Sequence, residues 1–192
     1  MRQLIFFLLI TFSLKATPWS AKDQTPLDSI VEVTNSPSPI GIKNIDDPKT
    51  IEEIHPDNLT EMALALHAKI NAFRKEHGKA ELTFSEIISK HSQRQTDWVA
   101  VGRYPLGHQG ANLRYKALRK QIDGVISGAE NIARIGVNHV DPIDAVFSGW
   151  IMGPGHRSNI LGDFDLCGYG ISKTSTGSYY FNQFFIRTET SE

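Results

Sequence analysis

The stretch Trp150-Ile151-Met152-Gly153-Pro154-Gly155-His156-Arg157-Ser158-Asn159-Ile160-Leu161 decides how the chain is read. It joins the end of an amphipathic helix to a turn forced by Gly153, Pro154 and Gly155, and it sets a histidine just beyond that turn. A histidine framed in this way is aimed rather than incidental. Upstream, Gly128-Ala129-Glu130-Asn131-Ile132-Ala133 supplies a carboxylate and a carboxamide in a similar glycine-flanked setting. Leu106-Gly107-His108-Gln109-Gly110 supplies a second framed histidine. His108, Glu130 and His156 are therefore candidates to converge on one cleft.

Taken in this order, the runs resemble the CAP superfamily, also called the SCP domain, which includes cysteine-rich secretory proteins, antigen 5, plant pathogenesis-related proteins and many bacterial members. The resemblance extends from residue 59 to residue 188. It takes in Ile70-Asn71-Ala72-Phe73-Arg74, then Cys167-Gly168-Tyr169-Gly170, and the closing Tyr179-Tyr180-Phe181-Asn182-Gln183-Phe184-Phe185. It implies an α+β fold of three layers, an α-β-α sandwich with a central antiparallel sheet flanked by helices. It also implies a cavity lined by two histidines and usually two acidic residues. His108, Glu130 and His156 match three of those positions, and Gly153 stands at the fourth.

Outside the resemblance, the composition is that of ordinary globular material. The chain has 192 residues, 40% hydrophobic and 21% charged, enough for one domain plus extensions. A net charge of −1 argues against a nucleic-acid binder, because neutralising phosphates needs a basic surface. Residues 1–21 read as a secretory signal peptide, with Arg2 in a positive n-region and an apolar stretch from Leu4 to Leu14 too short to span a bilayer. Cleavage between Thr17 and Lys22 is expected, leaving an exported or envelope protein with no stable transmembrane span. Residues 22–57 carry five prolines and, with three lysines against eight acids, a charge of −5; they read as an acidic, disordered spacer. The domain is assigned to residues 58–188, with a short tail at 189–192.

Within the domain, helices precede strands. Met62, Leu66, Ile70 and Phe73 form the stripe of a first helix that ends at Gly78, with Asn58 as its N-cap. Thr83-Phe84-Ser85-Glu86 reads as a capping box opening a second helix, which carries Ile87, Ile88, His91, Trp98 and Val99 toward Gly102. Arg114 to Ile122 is expected to form a third helix, its cluster Arg114, Lys116, Arg119 and Lys120 being a solvated face, with the binding of an anionic polymer or headgroup as the alternative. Asp141 and Pro142 open a fourth as N-cap and first helical residue. Leu166–Ser172 and Tyr179–Thr188 are β-branched and aromatic runs that form a hairpin, with a third strand near Ile132 to Val137.

Two imidazoles and a carboxylate suit Zn²⁺, whose catalytic sites use three protein ligands and keep one position open. The metal candidates are thus His108, His156 and Glu130, with Asn131, Trp150, Arg157 and Asn159 supporting the cavity. Cys167 is the only cysteine, so no internal disulfide forms, and its apolar setting reads as packing rather than reactivity. No Gly-x-Ser-x-Gly elbow is present. The leading expectation is non-catalytic binding of a hydrophobic ligand, lipid or sterol-like, or of an envelope glycan. The alternatives are a zinc-dependent hydrolase with Glu130 as base or third ligand, and a surface interaction protein with a vestigial cavity.

Overall fold

A computed structural model describes residues 59–136 and 141–189. The proposed signal peptide, the spacer, Asn58 and the last three residues lie outside this range. Five helices, α1 (Leu59–Glu76), α2 (Glu86–Ala100), α3 (Ala111–Leu118), α4 (Pro142–Met152) and α5 (Pro154–Ile160), surround four strands, β1 (Thr83–Phe84), β2 (Val125–Ile135), β3 (Leu166–Lys173) and β4 (Tyr179–Thr188). The sheet order is β1-β3-β4-β2. The three long strands run antiparallel, with Glu130 opposite Phe184 and Gly168 opposite Phe184 on the other side.

One element departs from the expected antiparallel sheet. Thr83–Phe84 is a two-residue edge strand parallel to β3, which makes the sheet mixed. The cap of α2 consequently moves to Ser85, whose side chain accepts from the Ile88 amide. Thr83 cannot cap the helix because the strand continues through Phe84 and the first helical residue is Glu86. The third helix starts at Ala111 rather than Arg114, since Gly110 can take the left-handed conformation (φ 74°) that turns the chain into it. The third strand begins at Val125, well ahead of Ile132, so Glu130 and Asn131 lie inside β2 rather than on a loop. Asp141 caps α4 as expected, accepting from the amides of Ile143 and Asp144.

Alternation along the strands splits the core into two unlike layers. On one face, Cys167, Tyr169, Ile171, Phe181 and Phe185 meet Leu66 and Ile70 of α1 and Val146 and Trp150 of α4. Trp150 is fully buried, and its indole N–H reaches the Ile132 carbonyl at 3.5 Å. On the other face a smaller apolar cluster, Ile88, Tyr115, Leu118, Phe184 and Ile186, borders a polar one.

Helix α2 buries Ser92, Gln95 and Thr96 beside Ile88 and Val99, while Ile87 is exposed and Trp98 only half-buried. The cause is close approach: a Cβ on Gly168 or Gly170 would collide with the backbone of Ser89 or Ser92. Beyond Phe84 and its partner Cys167, the outer edge of β3 has no strand neighbour among the described residues, and side chains of α2 satisfy it instead. Ser89 accepts from the Tyr169 amide at 3.1 Å, and the Gln93 carboxamide both accepts from the Ile171 amide at 3.0 Å and donates to its carbonyl at 2.7 Å.

Arg74, 2% exposed at the end of α1, has no carboxylate partner among the described residues. It donates to the carbonyls of Ala80, Ile160, Gly162 and Phe164. Two of these carbonyls, Ile160 and Gly162, belong to the end of α5 and the turn after it, where intrahelical partners run out. The guanidinium thus fixes the short helix that carries His156.

Candidate functional site

The site is built on Glu130, in the middle of edge strand β2 and facing α2 and α3. Its Oε1 accepts from His108 Nδ1 at 2.8 Å. Its Oε2 accepts from the Arg114 guanidinium and from the Asn182 carboxamide, the latter at 2.8 Å. Arg114 is in turn held by Gln95 Oε1 at 2.7 Å and the Gln109 carbonyl at 2.9 Å. Burial alone would push the Glu130 carboxyl up. The His108 hydrogen bond, the Arg114 and His108 charges and the Asn182 amide outweigh it and hold the group below its ordinary 4.5. Glu130 is therefore an ionised anchor with both oxygens engaged.

His156 reaches the same region from α5. Gly153 serves as both the C-cap of α4 and the N-cap of α5, and its backbone is extended. A Cβ there would lie 2.9 Å from His156 Nδ1, so the ring occupies space that a side chain at position 153 would need. Burial, and then the charge of His108, lower the His156 pKa below 6.5. Its Nδ1 is buried without a hydrogen-bond partner. Tying α5 to the edge strand, Asn159 donates to the Glu130 carbonyl at 3.3 Å and to Asn131 Oδ1 at 2.9 Å, while Asn131 donates to the His156 carbonyl at 3.2 Å.

Of the three candidate ligands, His108 and Glu130 bond directly, and His156 lies near enough for the charge of His108 to lower its pKa. His156 sits on a short helix rather than in a loop. Asn131, Asn159 and Trp150 support the region from beneath. Arg157 points elsewhere: its guanidinium packs 5.2 Å over the Phe73 ring and donates to His77 at 3.1 Å, stitching α5 to α1. Among the described residues no group of three His, Cys, Asp or Glu side chains is placed to hold a metal. Cys167 is fully buried and its thiol is pushed up to about 12, mainly by burial, which fits a packing role.

Sequence reasoning missed Arg114, Gln95 and Asn182. Arg114 is 9% exposed, not part of a solvated face. It belongs to the same glycine-framed loop and helix start as His108, and a carboxylate expected to be buried at Glu130 required a cation. That requirement was the available signal. Nothing local marks Asn182, which acts across the sheet.

Beside this cluster opens a small cleft lined by Gln95, Thr96, Val99, Leu106, Tyr180 and Asn182 among others. Asn182 spends its amide on Glu130 and leaves its buried Oδ1 without a partner.

Solved structures share this architecture. An outer surface protein from Borrelia burgdorferi matches with a TM-score of 0.59 at 17% identity, covering 71% of this chain and 99% of that one. An extracellular protein containing an SCP domain from Bacillus anthracis matches with a TM-score of 0.55 at 22% identity over 70% of this chain and 44% of that one. A venom allergen-like protein from Schistosoma mansoni matches with a TM-score of 0.51 at 12% identity, over 69% and 92% of the two chains. At these identities the likeness concerns the fold. A search of curated protein sequences gave no match. The model of the cysteine-rich secretory protein family matches residues 67–186. With this match spanning more than half of its length, and with the sandwich in place, the chain belongs to the CAP, or cysteine-rich secretory protein, family.

Proposed function

We propose that this chain is an exported binding module that takes up a small hydroxyl-bearing group, such as the end of an envelope glycan, in the cleft beside Asn182. The observation that carries the reading is the division of labour within Asn182. Its amide locks Glu130 while its buried Oδ1 has no partner, and the residue lines the cleft. An unsatisfied buried acceptor costs about 1–3 kcal/mol, which a ligand hydroxyl would recover by donating to it. The cleft is far too small to enclose a drug-sized ligand, whose pockets run to ~300–1,000 Å³, which favours a glycan end at its mouth over an enclosed sterol. Glu130, ionised and engaged at both oxygens, is poorly suited to serve as a general base, so binding is favoured over catalysis. Export rests on the apolar N-terminal run and on the extracellular character of the Bacillus anthracis relative.

NMR titration of the mature protein with cellotriose and chitotriose tests this. Shift changes should localise to Gln95, Thr96, Leu106 and Asn182, and Asn182→Leu should remove them. Absence of any response in the wild type, or turnover of a saccharide, would contradict the reading.

Weak zinc binding is the second reading, favoured by the partnerless His156 Nδ1 and by the electrostatic coupling of His156 to His108. These two imidazoles would hold the ion, with Glu130 orienting His108 through Nδ1 in the manner of an outer-shell carboxylate. The donor set falls short of the three protein ligands of a catalytic zinc, and no reaction step follows from it. The chemistry a bound zinc supplies elsewhere is the lowering of a water pKa. Calorimetric titration at about pH 7.5 should give weak binding that His108→Ala or His156→Ala each abolishes. Binding that survives both changes would locate the metal elsewhere.

A further inference from the structure

At the C-terminal end of α2 the chain builds a cluster that the cleft does not use. The half-buried Trp98 ring lies 5.4 Å from the Arg94 guanidinium and 5.0 Å from that of Arg103, with the Tyr104 ring edge-on at 5.2 Å. The arrangement is held by the backbone: Gly102 turns the chain at φ 72°, and the Trp98 carbonyl accepts from the amides of both Arg103, at 2.7 Å, and Tyr104, at 3.2 Å. Arg94, Arg103 and Tyr104 are exposed. Neither arginine is ion-paired with a carboxylate among the described residues. The nearby Asp97 is directed inward, accepting from Gln93 and Ser172. Two guanidiniums are thus gathered against one ring, so their charges can meet an anion with less loss of side-chain freedom.

The cluster also adjoins the cleft along the chain. Gln95 and Val99, which line the cleft, alternate on α2 with Arg94 and Trp98, and Leu106 and Gly107 of the cleft follow Tyr104 across Pro105. A ligand whose hydroxyl reached Asn182 would leave the cleft past a flat aromatic ring flanked by two cations. That combination suits a saccharide chain carrying carboxylates: sugar C–H faces pack on aromatic rings, and guanidinium forks match carboxylates.

We propose that Trp98, Tyr104, Arg94 and Arg103 form a binding surface, continuous with the cleft, for the carboxylate-bearing units of an acidic polysaccharide. The proposal rests on the glycan reading of the cleft and names the class of glycan.

The full mature chain is titrated calorimetrically with oligogalacturonate of four to six units, its methyl ester, cellotetraose and inorganic polyphosphate of matching charge. The Trp98 indole resonance is followed by NMR. At low salt the acid should bind at least tenfold more tightly than the ester, with the advantage shrinking as salt rises. R94Q/R103Q, which changes only exposed side chains, should erase that advantage and leave ester and cellotetraose binding unchanged. Equal affinity for acid and ester, or an advantage that survives R94Q/R103Q, would overturn the proposal while leaving the cleft reading intact. Polyphosphate binding as tight as that of oligogalacturonate, without movement of the Trp98 resonance by either, would reduce the surface to bare charge and overturn it too. Failure of every saccharide would remove the cleft reading as well.

Discussion

The two faces of the one sheet solve the packing problem in opposite ways. Toward α1 and α4, large apolar side chains fill the space, with Trp150, Phe181 and Phe185 among those fully buried. Toward α2, glycines on β3 draw the helix in, and the small or polar Ser92, Gln95 and Thr96 fit beside Ile88 and Val99. The first face derives its stability from area removed from water. The second depends on pairing the polar groups it buries, and Glu130 with its three donors is its most demanding member. Specificity and chemistry therefore belong to the face where the partners of polar groups, rather than volume, decide the arrangement.

The largest effect that would break this contrast is expected on the apolar face. Trp150→Ala should cost roughly 3–5 kcal/mol, the range for truncating a buried aromatic side chain, read as a lowered denaturant midpoint. A wild-type midpoint would mean that Trp150 does not anchor α4 to the sheet. On the polar face the damage should come from adding atoms. Gly170→Ala places a methyl group against the Ser92 backbone and should cost about 1–3 kcal/mol through overpacking. A silent Gly170→Ala would show that α2 can retreat, and that the close approach is not what selects its small polar residues.

A smaller effect sharpens the comparison through pH. His156, held neutral by burial and by His108, has a folded pKa below 6.5. The unfolded chain then binds the proton first as pH falls, so this contribution is complete above about 6.5 and is lost on descending toward the folded value. Burial lowers His67 and His91 in the same direction. Urea melts between pH 8 and 5 should show falling stability, with a shallower fall in His156→Gln and part of the slope retained. An unchanged slope in the variant would mean that His156 titrates as if exposed.

How much of this was legible in the sequence follows the same division. Periodic apolar stripes located α1 and α4, and the hairpin of β3 and β4 declared itself through aromatic and β-branched runs. Such signals report burial, which a local pattern encodes. On α2, Ile88 and Val99 were marked and are buried, but the burial of Ser92, Gln95 and Thr96 depends on two glycines far along the chain, on β3, which no local pattern encodes. The site behaved alike. His108, Glu130 and His156 were visible as glycine-framed polar residues, and His108 and Glu130 bond directly. Arg114 was mistaken for surface because a lysine- and arginine-rich run looks solvated until its carboxylate partner is known. Asn182, hidden in an aromatic strand, acquires its role only from the register that sets it diagonally across from Glu130.

The central claim is that Glu130 is a buried, permanently ionised anchor rather than an acid–base group. ¹³C NMR titration of its side-chain carboxyl in the mature protein tests this most directly. Hydrogen bonding and charge should hold its pKa below 4.5, so the resonance should stay that of a carboxylate from pH 8 to pH 5, and the associated stability should be lost only as the pH falls through the folded value. A Glu130 carboxyl that takes up its proton above 4.5, moving toward neutrality, would contradict the account and return this residue to the chemistry of a general acid.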